Sequence, residues 1–121
     1  DLLEASHWRI DLSEADPASA EAAVAAFLGT DAVIVERMTK KGLRQFDCRA
    51  AVVSLVATAH GEGCRLDLVL RHTVPAVRPD DVLSGLRSTD LDPGPAPLLT
   101  RMAQGPLDPE GHVGDPLGSS R

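Results

Sequence analysis

The stretch from Val52 to Arg71 restricts the fold of this chain more than any other. Cys64, Leu66, Leu68 and Leu70 alternate with Arg65, Asp67, Val69 and Arg71, the two-residue period of a strand with one buried face. Val52 to Thr58 is too rich in β-branched residues for a helix of that length, and His60-Gly61-Glu62-Gly63 supplies a tight turn between the two runs. Strands of this kind need an apolar layer to lie against.

Two segments offer that layer. Asp16-Pro17 gives an N-cap and a first-turn proline; Ala20, Ala23, Val24, Phe27 and Leu28 form one helical stripe, and Gly29 is the stop. A shorter helix starts at Arg78-Pro79-Asp80-Asp81, with Val82, Leu83 and Leu86 as its stripe and two acids at its positive end. Only Trp8, Phe27 and Phe46 are aromatic, so Val, Leu and Ala must build the core.

The remaining strands are read from alternation. His7 to Leu12 sets Trp8, Ile10 and Leu12 against His7, Arg9 and Asp11. Ala32 to Thr39 is β-branched, Lys40-Lys41-Gly42 turns, and Leu43 to Arg49 returns. Val52 to Thr58 is expected to continue that return strand across a bulge near Ala50. Leu98 to Met102 closes the series. The order β-α-β-β-β-α-β predicts an α+β fold: a two-layer, ferredoxin-like sandwich with a mainly antiparallel sheet and both helices on one face.

At 121 residues and 43% apolar composition the chain fits one domain. Residues 1–102 are expected to form it. Residues 103–121, dominated by Gly, Pro, Asp and Ser, are expected to be a disordered tail. Asp1 to Ala5 reads as the end of a helix, which points to a segment upstream. No run approaches the roughly 18 apolar residues of a membrane span and no signal peptide opens the chain, so the expected location is cytoplasmic.

A net charge of −6 argues against broad, nonspecific nucleic-acid binding. Within that acidic chain, Arg37, Lys40, Lys41, Arg44 and Arg49 gather five positive charges into 13 residues. On a hairpin, cross-strand neighbours bring several onto one face, where they would hold phosphates of an RNA or a cofactor beside the N–H groups of the Gly42 turn. The alternative is a solvated hairpin whose edge lysines discourage aggregation. Asp47 and Arg49, two apart on one strand face, are expected to form a buried structural pair or an ion pair with Arg44 or Lys41, the alternative being an acid–base site.

Cys48 and Cys64 lack CxxC spacing and read as buried thiols on strands in a reducing cytosol. His7, His60, His72 and His112 show no metal-ligand spacing, and no phosphate loop or nucleophile elbow is present, so neither a metal, a cofactor nor catalytic residues are expected.

The basic segment also carries a family resemblance. Lys40-Lys41-Gly42-Leu43-Arg44-Gln45-Phe46-Asp47-Cys48-Arg49 resembles the Lys-Lys-Gly-x-Arg-x-x-Asp-x-Arg signature of the DUF2344 radical SAM-associated proteins of actinobacterial type. Val77-Arg78-Pro79-Asp80-Asp81-Val82-Leu83 resembles that family's Arg-Pro-Asp-x-Val-Leu segment, and Leu99-Thr100-Arg101 is also similar. Ala50 departs from the pattern, which has proline there. The resemblance spans residues 1–102 and implies the C-terminal half of a longer protein, fused to or paired with a radical SAM enzyme. The cysteine triad of an iron–sulfur cluster is missing here.

Three functions follow as expectations. One is a non-catalytic accessory domain whose hairpin, through Arg37, Lys40, Lys41, Arg44, Asp47 and Arg49, meets RNA or another phosphate-bearing partner. A second is a docking module for a radical SAM enzyme or for the missing N-terminal half. In the third, a missing N-terminal half completes an enzyme site. Few aromatics are available for base stacking, which places docking level with RNA binding.

Overall fold

A computed structural model describes residues 4–114. In chain order the elements are β1 (Ala5–Leu12), α1 (Pro17–Leu28), β2 (Ile34–Thr39), β3 (Gly42–Asp47), a 3-10 turn (Arg49–Ala51), β4 (Val52–His60), β5 (Gly63–Arg71), α2 (Pro79–Arg87) and β6 (Leu98–Gly105). The α+β class expected from the sequence is the class observed. Its layout is a four-stranded sheet in the order β4-β5-β1-β6, antiparallel throughout, a separate β2-β3 sheet, and two helices.

Central strands β1 and β5 set the core. Trp8 stands opposite Leu68, Ile10 opposite Leu66 and Leu12 opposite Cys64, and Leu55 of β4 extends the row beyond Leu68. α1 lays Ala20, Ala23, Val24 and Phe27 on this face, against β4 and β5. Asp16 caps it by accepting the Ser19 N–H at 2.9 Å, and Pro17 follows where a missing N–H costs nothing. α2 turns Val82, Leu83 and Leu86 inward, but it packs on α1 and on β2, so it serves the hairpin as much as the sheet. At the β4–β5 turn the chain passes so close to β1 that a Cβ on Gly63 would stand 2.1 Å from the Leu12 carbonyl oxygen.

Three expectations change. The run from Leu43 to Thr58 is not one bulged strand: β3 and β4 belong to different sheets, divided by the Arg49–Ala51 turn. One oxygen of Asp47 accepts the N–H groups of Val33 (2.8 Å) and Arg49 (3.0 Å), which bends the chain at the end of β3.

The boundary at Met102 falls inside β6, which runs on to Gly105. Beyond it Leu107 bridges Val113, and the Leu107 N–H reaches Glu4 Oε1 at 2.7 Å. Composition gave no hint of this order because main-chain hydrogen bonds, rather than apolar burial, hold these residues. The expected tail over residues 115–121 lies outside the described residues. Ala5 opens β1 instead of ending a helix, since Glu4 donates to the Gly105 carbonyl at 3.0 Å; residues 1–3 also lie outside the description.

Candidate functional site

The β2–β3 hairpin stands apart from the main sheet and presents two unlike faces. Val35, Arg37 and Thr39 share one face with their cross-strand partners Phe46, Arg44 and Gly42. Val35 is buried and Phe46 half-buried, so this is the inner face. The outer face pairs Glu36 with Gln45, whose amide donates to Glu36 Oε2 at 2.8 Å, and Met38 with Leu43. Met38 is 71% and Leu43 58% exposed, beside the turn that carries Lys40 and Lys41.

The expected cluster of six residues is divided by the fold. Arg37 points inward: its guanidinium pairs with Asp81 of α2, donates to the Ala76 carbonyl at 3.0 Å and lies 4.6 Å over the Phe46 ring. The same Asp81 oxygen accepts the Arg78 N–H at 2.8 Å, so one carboxylate both caps α2 and ties the hairpin to it. Asp81 is 5% exposed, which makes this a buried tie rather than a surface pair.

Arg49 is structural as well. Its guanidinium donates to the carbonyls of Leu28 and Val52, each at 3.2 Å, and so satisfies the C-terminal end of α1 where Gly29 stays right-handed (φ −77°). Asp47 and Arg49 therefore do not pair through their side chains: Asp47 takes the Arg49 backbone N–H instead. That leaves Lys40, Lys41 and Arg44, all exposed, with no ion pair to any of them among the described residues. A pocket of about 220 Å³ opens at the hairpin base, lined by Phe46, Asp47, Ala51, Val74, Pro75 and Val77.

Both cysteines are unbridged and buried, as expected. Cys64 is on β5, whereas Cys48 follows β3 and sits under α2. Burial, with Asp47 and Asp81 adding to it, pushes the Cys48 thiol up to about 11, and burial raises Cys64. Both shifts disfavour the thiolate, the form that reacts.

The open face of the four-stranded sheet carries charge that the sequence reading passed over as ordinary alternation. Arg65 grips Asp11, with Nε 2.7 Å from Oδ1, and also lies 3.1 Å from His60 Nε2. This hydrogen bond holds the Asp11 carboxyl below the usual range and raises the Arg65 guanidinium. Nearby, His7 Nε2 is 2.9 Å from Asp67 Oδ1. No short-range motif marks these pairs, because their members lie 54 and 60 residues apart. None of the described helices is long and apolar enough to cross a membrane.

The sequence profile of a family described as "Uncharacterized protein conserved in bacteria (DUF2344)" matches residues 1–79, which hold β1 through β5, the whole hairpin and the first residue of α2. No curated protein and no solved structure matches the chain.

Proposed function

The chain belongs to the DUF2344 family, and from that premise we propose that it is a binding module whose β2–β3 hairpin docks on an acidic, partly apolar protein surface. The observation that carries this reading is the pairing of Met38 with Leu43 in the open, beside the turn that carries Lys40 and Lys41, with Arg44 exposed on the hairpin's other face. Exposed apolar side chains at the end of a projecting hairpin lose water only against a partner, and cations around them select an acidic rim. The Arg37–Asp81 tie supports the reading too, since it holds the hairpin in one pose and lowers the ordering cost of association. A radical SAM enzyme is the partner that the family resemblance suggests.

RNA binding is the weaker reading. Only three of the five expected cations are available, and the one aromatic ring of the hairpin is covered by Arg37. Titration separates the two. With a radical SAM partner protein, changing Met38 and Leu43 to Ser should weaken association about tenfold or more, with little dependence on salt. The Lys40→Ala, Lys41→Ala, Arg44→Ala triple should slow association and reduce its salt dependence. Binding of single-stranded RNA that the triple abolishes and the Ser pair leaves intact would overturn docking in favour of phosphate contact.

A further inference from the structure

Strand β4 is an edge of the four-stranded sheet: β5 pairs it on one side and no described strand pairs it on the other. It joins β5 through Gly61 and Glu62, with Gly61 left-handed at φ 58°, and this turn closes on His60 and Gly63 as a hydrogen-bonded pair. Hydrogen-bonded and open pairs alternate along an antiparallel ladder. The main chains of Val56 and Thr58 therefore face β5, while the N–H and C=O groups of Leu55, Ala57 and Ala59 point away from it. No other described segment supplies them a backbone partner.

Edges of this kind are normally guarded by lysine, proline or a bulge against pairing with another chain. β6, at the far edge, follows that rule, because it carries Arg101 and its ladder with β1 is irregular between His7 and Trp8. β4 does not. From Ala50 to Ala59 there is neither a charged residue nor a proline, in a chain that is 25% charged. Every other described strand holds at least one Asp, Glu or Arg. The irregularity of β4, between Val52 and Ser54, lies ahead of the three outward-facing residues.

A second observation lies above the same strand. α1 packs on β4, and a helix with one buried face ordinarily sets charge on the other. Here the solvent side holds Ala18, Ala22, Ala25 and Ala26, and Glu21 is the only charged residue of the helix. Small side chains allow a neighbouring helix to approach closely.

We infer that the two features form one interface with a second copy of this chain. β4 pairs antiparallel with the partner's β4 about a two-fold axis, so that two four-stranded sheets become one continuous sheet. Ala57 then lies opposite the partner's Ala57 and Leu55 opposite the partner's Ala59, the register that uses all three outward-facing residues. The same axis sets α1 beside the partner's α1. Charge selects the occupant. A two-fold axis brings the residues near it against their own copies, so a charged strand would repel itself. In a chain of net charge −6, β4 is the described strand that avoids this. The guarded edge at β6 ends the pairing at two copies.

Sedimentation of the full chain over a range of concentrations tests this, with a concentration-dependent dimer expected. Val56→Lys should weaken the dimer about tenfold or more. Val56 is 53% exposed and stands opposite Asp67 in its own chain, so the fold accommodates a cation there, whereas the dimer would set it against the partner's Thr58. Ala59→Pro should weaken the dimer as much, because it removes an N–H that only the partner uses. Both variants should keep the circular dichroism of the unmodified chain. Amides of Leu55, Ala57 and Ala59 should gain protection from exchange as concentration rises and those of β6 should not, a readout that needs no variant. A chain that stays monomeric at millimolar concentration overturns the proposal. So does a dimer that both variants leave intact, and its loss on changing Met38 and Leu43 to Ser would place the contact on the hairpin instead.

Discussion

At Asp47 a single carboxylate oxygen receives the backbone N–H groups of Val33 and Arg49 and so fixes where the hairpin ends and the main sheet begins. Hydrogen bonds to a charged acceptor contribute about 1.5–3 kcal/mol each, so losing both through Asp47→Ala should lower stability by about 3–6 kcal/mol in urea unfolding. Lys40→Ala and Lys41→Ala, at the exposed tip, should stay within about 0.5 kcal/mol of the unmodified chain. Asp81→Ala strands the half-buried Arg37 and the Arg78 N–H, and should cost about 3 kcal/mol. Cys48 gives a pH dependence. Its folded pKa of about 11 lies above the ordinary 9.0, so the native state favours the thiol; stability is full below about pH 9 and falls as pH rises toward 11. A urea midpoint that held constant across that window would contradict the assigned burial. The sequence singled out Arg37, Asp47 and Arg49, but not the partners that the fold gives them. Asp81 lies 44 residues from Arg37, the Leu28 carbonyl 21 from Arg49 and the Val33 N–H 14 from Asp47, so no local pattern encodes these partners; only the Arg49 N–H, two residues from Asp47, is local.

Among the elements, α1 and β5 were legible because each carries one uninterrupted period and its own punctuation: Asp16-Pro17 for the helix, Gly61 to Gly63 for the strand. The break between β3 and β4 was not, since both halves are β-rich and only a side chain bonding to backbone separates them. β6 was read three residues short because Ala103, Gln104 and Gly105 complete it without β-branched or alternating apolar residues; its order comes from β1, whose Ala5 pairs with Gly105. α2 depends on a close approach that its sequence hides. A Cβ on Gly85 would stand 2.9 Å from Val33 Cγ1 and 3.0 Å from both Cys48 Sγ and Phe27 Cε1. Gly85→Ala gains up to about 1 kcal/mol of helix propensity, against roughly 1–3 kcal/mol for overpacking three core groups. Thermal unfolding should therefore show a net loss, where an exposed helical glycine would show a gain.

For the molecule as a whole, the sheet order predicts where protection from exchange should concentrate. β1 and β5 are each paired on both sides, while β4, β6 and the hairpin have open edges, so native-state amide exchange should be slowest in β1 and β5. Faster exchange in β1 than in β6 would be incompatible with this strand order. The class of the fold was accessible from periodicity, but its partition into two sheets was not, because strand pairing is decided between residues far apart in sequence. That partition also bears on how the chain is made. Of the described strands β1 leaves the ribosome first, yet its neighbours are β5 and β6, the last two. Until β5 has emerged, Ile10 and Leu12 have no strand to lie beside, and the nascent polypeptide must carry an unsatisfied apolar edge while β2, β3 and β4 are made. Translation arrested before β5 should thus yield a species that chaperones retain, whereas arrest after Gly105 should release one that resists protease.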